Sequence, residues 1–111
     1  GELVLTGPDA LTEDMPVLDV RTPGEYAGGH MPNSLNIPHT QLRDRLDEVR
    51  AWVDENVGEQ PFVVMCAAGV RSWIGYRIVR AAGFDVTMLS GGIQTLRAWL
   101  GDRAATVLVK G

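Results

Sequence analysis

Short apolar runs alternate with longer amphipathic segments along this chain. The runs predict five strands, at residues 3–5, 16–20, 34–37, 62–66 and 86–89. Residues 62–66 are apolar at every position, which is typical of a parallel strand buried on both faces. Strands that alternate with helices predict an α/β domain, a three-layer sandwich with a central parallel sheet of about five strands and helices on both faces.

Three amphipathic segments predict the main helices of this domain. The first has Thr40 as its expected N-cap and ends at Gly58, the second begins near Ser72, and the third follows Gly91-Gly92 and ends at Gly101. The tail beyond residue 101 holds a short apolar run that the pattern does not place. The apolar positions expected to face the sheet are, in chain order, Leu42, Leu46, Val49, Val53 and Val57; Ile74, Ile78, Val79 and Ala82; and Ile93, Leu96, Trp99 and Leu100.

The only cysteine, Cys66, ends the fourth predicted strand and stands directly before a loop that leads into a helix. In open α/β sheets, ligands bind at the carboxyl ends of the strands. Free backbone N–H groups and the positive end of the helix dipole both favour a thiolate there, and the thiolate is the reactive form of cysteine. The position predicts a nucleophile, although inert packing is the competing interpretation for a lone cysteine.

The loop after Cys66 is built to surround an anion. Gly69 allows backbone angles that larger residues resist, and the small residues before it leave their amides accessible. Arg71 adds a permanent positive charge, so we expect the loop to lower the pKa of the thiol and to hold an anionic substrate. The predicted substrate-binding residues are Ala67, Ala68, Gly69, Val70, Arg71 and Ser72.

Composition limits the class of protein and its partners. The chain has 111 residues, 45% of them hydrophobic, which suits one globular domain. A net charge of −4 argues against nucleic acid as the main partner, and one cysteine cannot form an internal disulfide. No apolar stretch is long enough to span a membrane, no basic segment followed by an apolar one leads us to expect a signal peptide, and no cluster has metal-ligand spacing. We therefore expect a cytoplasmic protein with no membrane or metal partner.

The loop Cys66-Ala67-Ala68-Gly69-Val70-Arg71-Ser72 resembles the active-site loop of the rhodanese (thiosulfate sulfurtransferase) family. Three other segments are similar to family motifs in the same order: residues 18–26 (LDVRTPGEY), residues 29–38 (GHMPNSLNIP) and residues 89–93 (LSGGI). The resemblance covers about residues 14–100. We expect a single rhodanese domain over residues 1–101 and a C-terminal tail over residues 102–111.

This resemblance implies a sulfurtransferase that acts through a persulfide on Cys66. The thiolate takes the outer sulfur from a donor such as thiosulfate, and a thiol or cyanide then accepts it, with no cofactor. Asp19, Arg21 and Glu25 are expected to form a structural ion-pair network behind the loop, because buried charges persist when paired. His30 is expected to be a hydrogen-bonded core or turn histidine rather than a base.

Three other interpretations remain open. A cysteine-loop phosphatase or arsenate reductase is similar in fold but has five residues between cysteine and arginine, whereas four separate Cys66 from Arg71 here. A catalytically weak binding or regulatory module of the same family is the second. Thirdly, residues 35–48 and 75–78 are similar to rhodanese domains fused to flavin-dependent coenzyme A–disulfide reductases. With Gly1 in place of an initiator methionine, this leads us to expect an excised domain and a fused or partner reductase.

Overall fold

A computed structural model describes residues 4–111, in which five parallel strands form one sheet in the order β1-β5-β4-β2-β3. The α/β sandwich with a parallel sheet is therefore confirmed. The fifth strand matches its prediction, the second, third and fourth are shorter than predicted by one or two residues, and the first is observed at Leu5–Thr6. Leu3 of the first prediction lies outside the described residues. The strands are β1 (Leu5–Thr6), β2 (Val17–Asp19), β3 (Ser34–Asn36), β4 (Phe62–Met65) and β5 (Val86–Leu89).

Helices cover both faces of this sheet. Three short 3₁₀ turns lie in the connections between these elements, at Pro8–Ala10, Leu42–Arg45 and Gly101–Arg103. Within the described residues no helix combines the length and the apolar character needed to cross a bilayer. The α-helices are α1 (Pro23–Ala27), α2 (Leu46–Trp52), α3 (Val70–Ala81), α4 (Gly92–Leu100) and α5 (Ala104–Val107).

Strand β4 shows how the core divides into two layers. Phe62 and Val64 face the layer that contains α2 and α3, whereas Val63 and Met65 face the layer that contains α4 and α5. Alternation continues to Cys66, which belongs to the α2–α3 layer. The alternating pleat therefore directs the cysteine side chain toward the start of α3.

The first predicted helix is not continuous. A 3₁₀ turn precedes α2, and a π-helical turn at Val53–Val57 follows it, with no side-chain cap from Thr40. Gly58 ends the segment as predicted, in a backbone conformation with φ 72°. The changes of helix type keep all five predicted apolar positions against the core, including Leu42 and Val57 at the two ends.

The inward faces of two helices differ from prediction. Gly75 faces the sheet so closely that an added Cβ would lie 3.0 Å from Val20 and 3.3 Å from Val64. This contact turns Ile74 outward, and its side chain is 41% exposed rather than buried. Trp99 of α4 is also exposed, at 53%, so it does not pack against the sheet.

The C-terminal tail packs against the domain. Helix α5 and Leu108 join the core layer of α4, and Val109 forms an antiparallel backbone bridge with His30, in which the Val109 carbonyl accepts the His30 N–H at 2.8 Å. The domain boundary at residue 101 stays a prediction. The tail residues supply part of the core layer that contains α4 and α5.

We predict that Leu108→Ala lowers the free energy of unfolding by about 2 kcal/mol, because it removes a buried side chain from a packed layer. Leu108 is 9% exposed, whereas its neighbour Val109 is 43% exposed. Urea denaturation of the two alanine variants measures the difference. Equal, small losses for Leu108→Ala and Val109→Ala would contradict a structural role for the tail.

Candidate functional site

Cys66 follows β4 at the carboxyl edge of the sheet, and its residue surface is 1% exposed. The Gly69 N–H donates a hydrogen bond to Sγ at 3.0 Å, and the Ser72 hydroxyl lies 3.2 Å from the same sulfur. The loop therefore folds back on the sulfur, so that one backbone donor and one hydroxyl contact it.

The Ser72 hydroxyl can serve both protonation states of the thiol. In the structure Ser72 Oγ donates to the Gly69 carbonyl at 3.1 Å, which leaves its lone pairs free to accept from an S–H. If the sulfur is ionised, rotation of the hydroxyl turns the same oxygen into a donor. A charged sulfur would then receive two hydrogen bonds, from the Ser72 hydroxyl and from the Gly69 amide, and both would stabilise it.

Helix α3 begins at Val70, two residues earlier than expected. Gly69 precedes it with φ 112°, a left-handed conformation that glycine adopts without strain. Arg71 and Ser72 consequently lie in the first helical turn, so their side chains are placed by the helix rather than by the loop. Of the other predicted loop residues, Ala68 and Val70 are exposed and Ala67 is half-buried.

The start of α4 holds the other side of this loop. The N–H groups of Ile93 and Gln94 donate to the carbonyls of Cys66 and Ala67, at 2.7 and 3.0 Å. Gly92 makes this approach possible, since an added Cβ would lie 2.6 Å from both of those carbonyl oxygens. No site role was predicted for Gly92; the glycine pair before an amphipathic helix was the signal in the sequence that could have indicated this role.

Arg71 does not point into an open anion site. Its guanidinium donates to both carboxylate oxygens of Glu25, at 2.5 and 2.8 Å, and so ties α3 to α1. Glu25 also completes the N-terminal capping box of α1 with Thr22. The Arg71 hydrogen bond is the main cause that lowers the pKa of Glu25 to about 2.

The expected network of Asp19, Arg21 and Glu25 is divided into two pairs. Arg21 is buried and donates from Nη2 to the Asp19 carboxylate at 2.7 Å, but it reaches only the backbone carbonyl of Glu25, at 3.2 Å. Arg21 also donates to the Gly29 carbonyl at 2.8 Å. The buried pair thus fixes the chain between β2 and β3, while the Glu25 carboxylate pairs with Arg71 instead.

His30 lies buried between α1 and the tail. Its ring stacks on Tyr26 with centroids 3.8 Å apart, and its Nδ1 donates to the Met31 carbonyl at 2.9 Å. These contacts occupy the ring in packing and hydrogen bonding. Among the residues that the structure describes, no three His, Cys, Asp or Glu side chains gather as potential metal ligands.

The chain is similar in sequence to known proteins of one family. A model of the rhodanese-like domain family matches residues 8–98. A sulfurtransferase from Allochromatium vinosum is 31% identical over 83 residues, which are 74% of this chain and 71% of that protein.

Two solved structures show a similar fold within longer chains. CoADR-RHD from Bacillus anthracis has a TM-score of 0.75 and 25% identity, and the match covers 91% of this chain and 18% of that one. A NAD-dependent persulfide reductase from A. fulgidus has a TM-score of 0.67 and 33% identity, over 84% and 16% of the two chains. The chain also spans only 33% to 57% of the length of three other curated relatives.

We predict that Gly92→Ala displaces the loop that carries Cys66. The new methyl group would require a left-handed backbone at φ 70° and would collide with two carbonyl oxygens 2.6 Å away. We expect a lower urea midpoint and a changed rate of Cys66 alkylation by iodoacetamide. Gly58→Ala is the matched control, because Gly58 has φ 72° and no atom within 4 Å of an added Cβ. Equal effects of the two substitutions on the alkylation rate would contradict the role of Gly92.

The Glu25–Arg71 pair predicts a specific pH dependence of stability. The folded-state pKa of Glu25 is depressed to about 2 from 4.5, so its contribution is present above pH 4.5 and is lost as the pH falls toward 2. The pair is partly exposed, so we expect Glu25→Gln to cost about 1 kcal/mol or less at pH 7. Urea denaturation of both proteins from pH 7 to pH 2 should show this difference shrinking below pH 4.5. A difference that stays constant over that range would contradict the assignment.

Proposed function

The chain belongs to the rhodanese-like domain family, and we propose that it is a sulfurtransferase that carries sulfane sulfur as a persulfide on Cys66. The observation that supports this most directly is the placement of Sγ at the end of β4, within 3.0 Å of the Gly69 N–H and 3.2 Å of the Ser72 hydroxyl. A merely packed cysteine has no need of two polar groups directed at its sulfur.

The proposed reaction has two balanced steps. The Cys66 thiolate attacks the outer sulfur of the donor, a new S–S bond forms, and the old bond breaks with its electron pair on the leaving group. With thiosulfate the leaving group is sulfite, and with an organic persulfide it is a thiolate. An acceptor thiolate or cyanide then attacks the outer sulfur of the persulfide and releases the Cys66 thiolate.

The loop supports both the thiolate and the persulfide state. The Gly69 amide donates to the sulfur, and the Ser72 hydroxyl in the first turn of helix α3 can donate to it once the sulfur is ionised. The residues that directly follow Cys66 are small, and Ala68 among them is exposed. Since these 111 residues contain one cysteine, no second thiol among them can remove the sulfur as a disulfide, and the acceptor must come from elsewhere.

We also propose that the sulfur donor or acceptor is supplied by a reductase, either fused or separate. CoADR-RHD and the persulfide reductase each contain a similar domain as less than a fifth of a longer chain. A domain in such a setting would exchange sulfur with small persulfides, including those of coenzyme A. A catalytically weak regulatory module is the competing proposal, and absence of any sulfur uptake would favour it. Phosphatase activity is disfavoured by the four-residue spacing between Cys66 and Arg71.

We predict that thiosulfate or a low-mass persulfide adds one sulfur atom to the purified protein. Intact mass spectrometry should show a gain of about 32 Da that disappears on addition of cyanide or a thiol, because both accept sulfane sulfur. Cys66→Ser should gain nothing with either donor. No gain by the unmodified protein with any sulfane donor would overturn the sulfurtransferase proposal.

A further inference from the structure

The charged side chains of the Cys66 loop and of the residues behind it form two neutral ion pairs. Arg71 is the only Lys or Arg in the loop, and both of its terminal nitrogens are committed to the Glu25 carboxylate. Behind it, Asp19 and Arg21 form a buried pair with a separation of 2.7 Å. The side chains of these two pairs therefore present no net positive charge to an incoming donor.

Arg71 nevertheless lies near the sulfur, because it directly precedes Ser72 in the first turn of α3, and the Ser72 hydroxyl is 3.2 Å from Cys66 Sγ. The pKa of Arg71 is raised chiefly by the Glu25 hydrogen bond, and Cys66 is among the further causes. The Arg71 and Glu25 side chains are 27% and 37% exposed, so solvent-borne ions can reach this pair. A change in the charge of either partner should therefore change the electrostatic energy of an anion that approaches Cys66.

Sulfane donors differ in how strongly they respond to such a charge. Thiosulfate carries two negative charges, whereas the anion of a simple organic persulfide or thiosulfonate carries one. One added positive charge in the site stabilises the dianion about twice as strongly as the monoanion. The partner of Arg71 therefore bears directly on which donor class reacts.

We propose that Glu25 is a specificity-determining residue: by neutralising Arg71 it makes Cys66 favour singly charged organic sulfane donors over thiosulfate. The proposal rests on the sulfurtransferase function proposed above and names its donor class. With the anion of an organic persulfide, Cys66–S⁻ and R–S–S⁻ give Cys66–S–S⁻ and R–S⁻. The outer sulfur changes partner and keeps its own charge, the electron pair of the broken S–S bond leaves with the thiolate R–S⁻, and no further oxidant or reductant is required.

A purely structural role for the Glu25–Arg71 pair makes a different prediction. If the pair only ties α1 to α3, its loss should affect all donors alike, through a displaced loop. Removal of either partner would then act in the same direction. An electrostatic role instead predicts opposite effects for the two partners and restoration when both are removed.

The test uses two donors that transfer the same outer sulfur and differ by one charge, thiosulfate and methanethiosulfonate. For each donor, kcat/KM for sulfuration of Cys66 is divided by the second-order rate constant of the same donor with free 2-mercaptoethanol. The donor ratio is this normalised value for thiosulfate divided by the value for methanethiosulfonate. It should be below one in the unmodified protein. It should rise about five- to tenfold in Glu25→Gln, fall by a similar factor in Arg71→Gln, and return toward the original value in the double variant.

Glu48→Gln is the matched control. Arg45 and Glu48 form a comparable ion pair on the α2 side, with Nε–Oε2 and Nη2–Oε1 separations of 2.6 and 2.9 Å. Its loss changes the net charge by the same amount away from Cys66, so the donor ratio should not move. The rise in Glu25→Gln should also shrink at high salt, because these charges are partly exposed.

The outcomes separate this proposal from the one on which it rests. Failure of both donors to sulfurate the unmodified protein overturns the sulfurtransferase function itself. Sulfuration with a donor ratio above one, or with a ratio that shifts in the same direction in both single variants, overturns the role of Glu25 alone. Opposite shifts with recovery in the double variant support it.

Discussion

The backbone contact between the Cys66 loop and the start of α4 is the constraint on which the site depends. Two amides of α4 donate to the carbonyls of Cys66 and Ala67, and only a glycine at position 92 allows so close an approach. These carbonyls would otherwise be unpaired at the end of β4, where the ladder of the sheet stops. The same bonds that satisfy the backbone therefore fix the loop, and the loop in turn directs the Gly69 amide at the sulfur.

Around this backbone contact, charged side chains form pairs, one between close neighbours in the sequence and one between helices that are 46 positions apart. The buried Asp19–Arg21 pair is held by additional backbone acceptors, which offsets the cost of removing two charges from water. The outer Glu25–Arg71 pair is more exposed and contributes less to stability, but it neutralises the only cationic side chain of the Cys66–Ser72 loop. One pair thus serves mainly the fold, and the other carries the donor selectivity that we propose.

Most of the fold could be predicted because its strands and helix ends follow from local patterns in the sequence. Apolar runs marked the strands, Gly58 and Gly101 marked helix ends, and the position of Cys66 after a buried strand placed it at the edge where parallel strands end. Ile74 was misassigned for a physical reason: the residue that decides how α3 faces the sheet is Gly75, which has no side chain and so adds nothing to an apolar pattern. The same limitation applies to Gly92, whose importance lies in an approach of backbone to backbone.

The partner of Arg71 could not be predicted from local pattern either, since Glu25 is 46 positions away. From the sequence, Arg71 was expected to be a free cation and Glu25 a member of the network with Asp19 and Arg21, because residue types indicate charges but not which charges pair. Folding brings α1 beside the first turn of α3 and turns two separate charges into a neutral pair. A loop with the same seven residues would present a cation if position 25 carried a neutral side chain. The chemistry of the loop is therefore determined as much by α1 as by the residues that follow the cysteine.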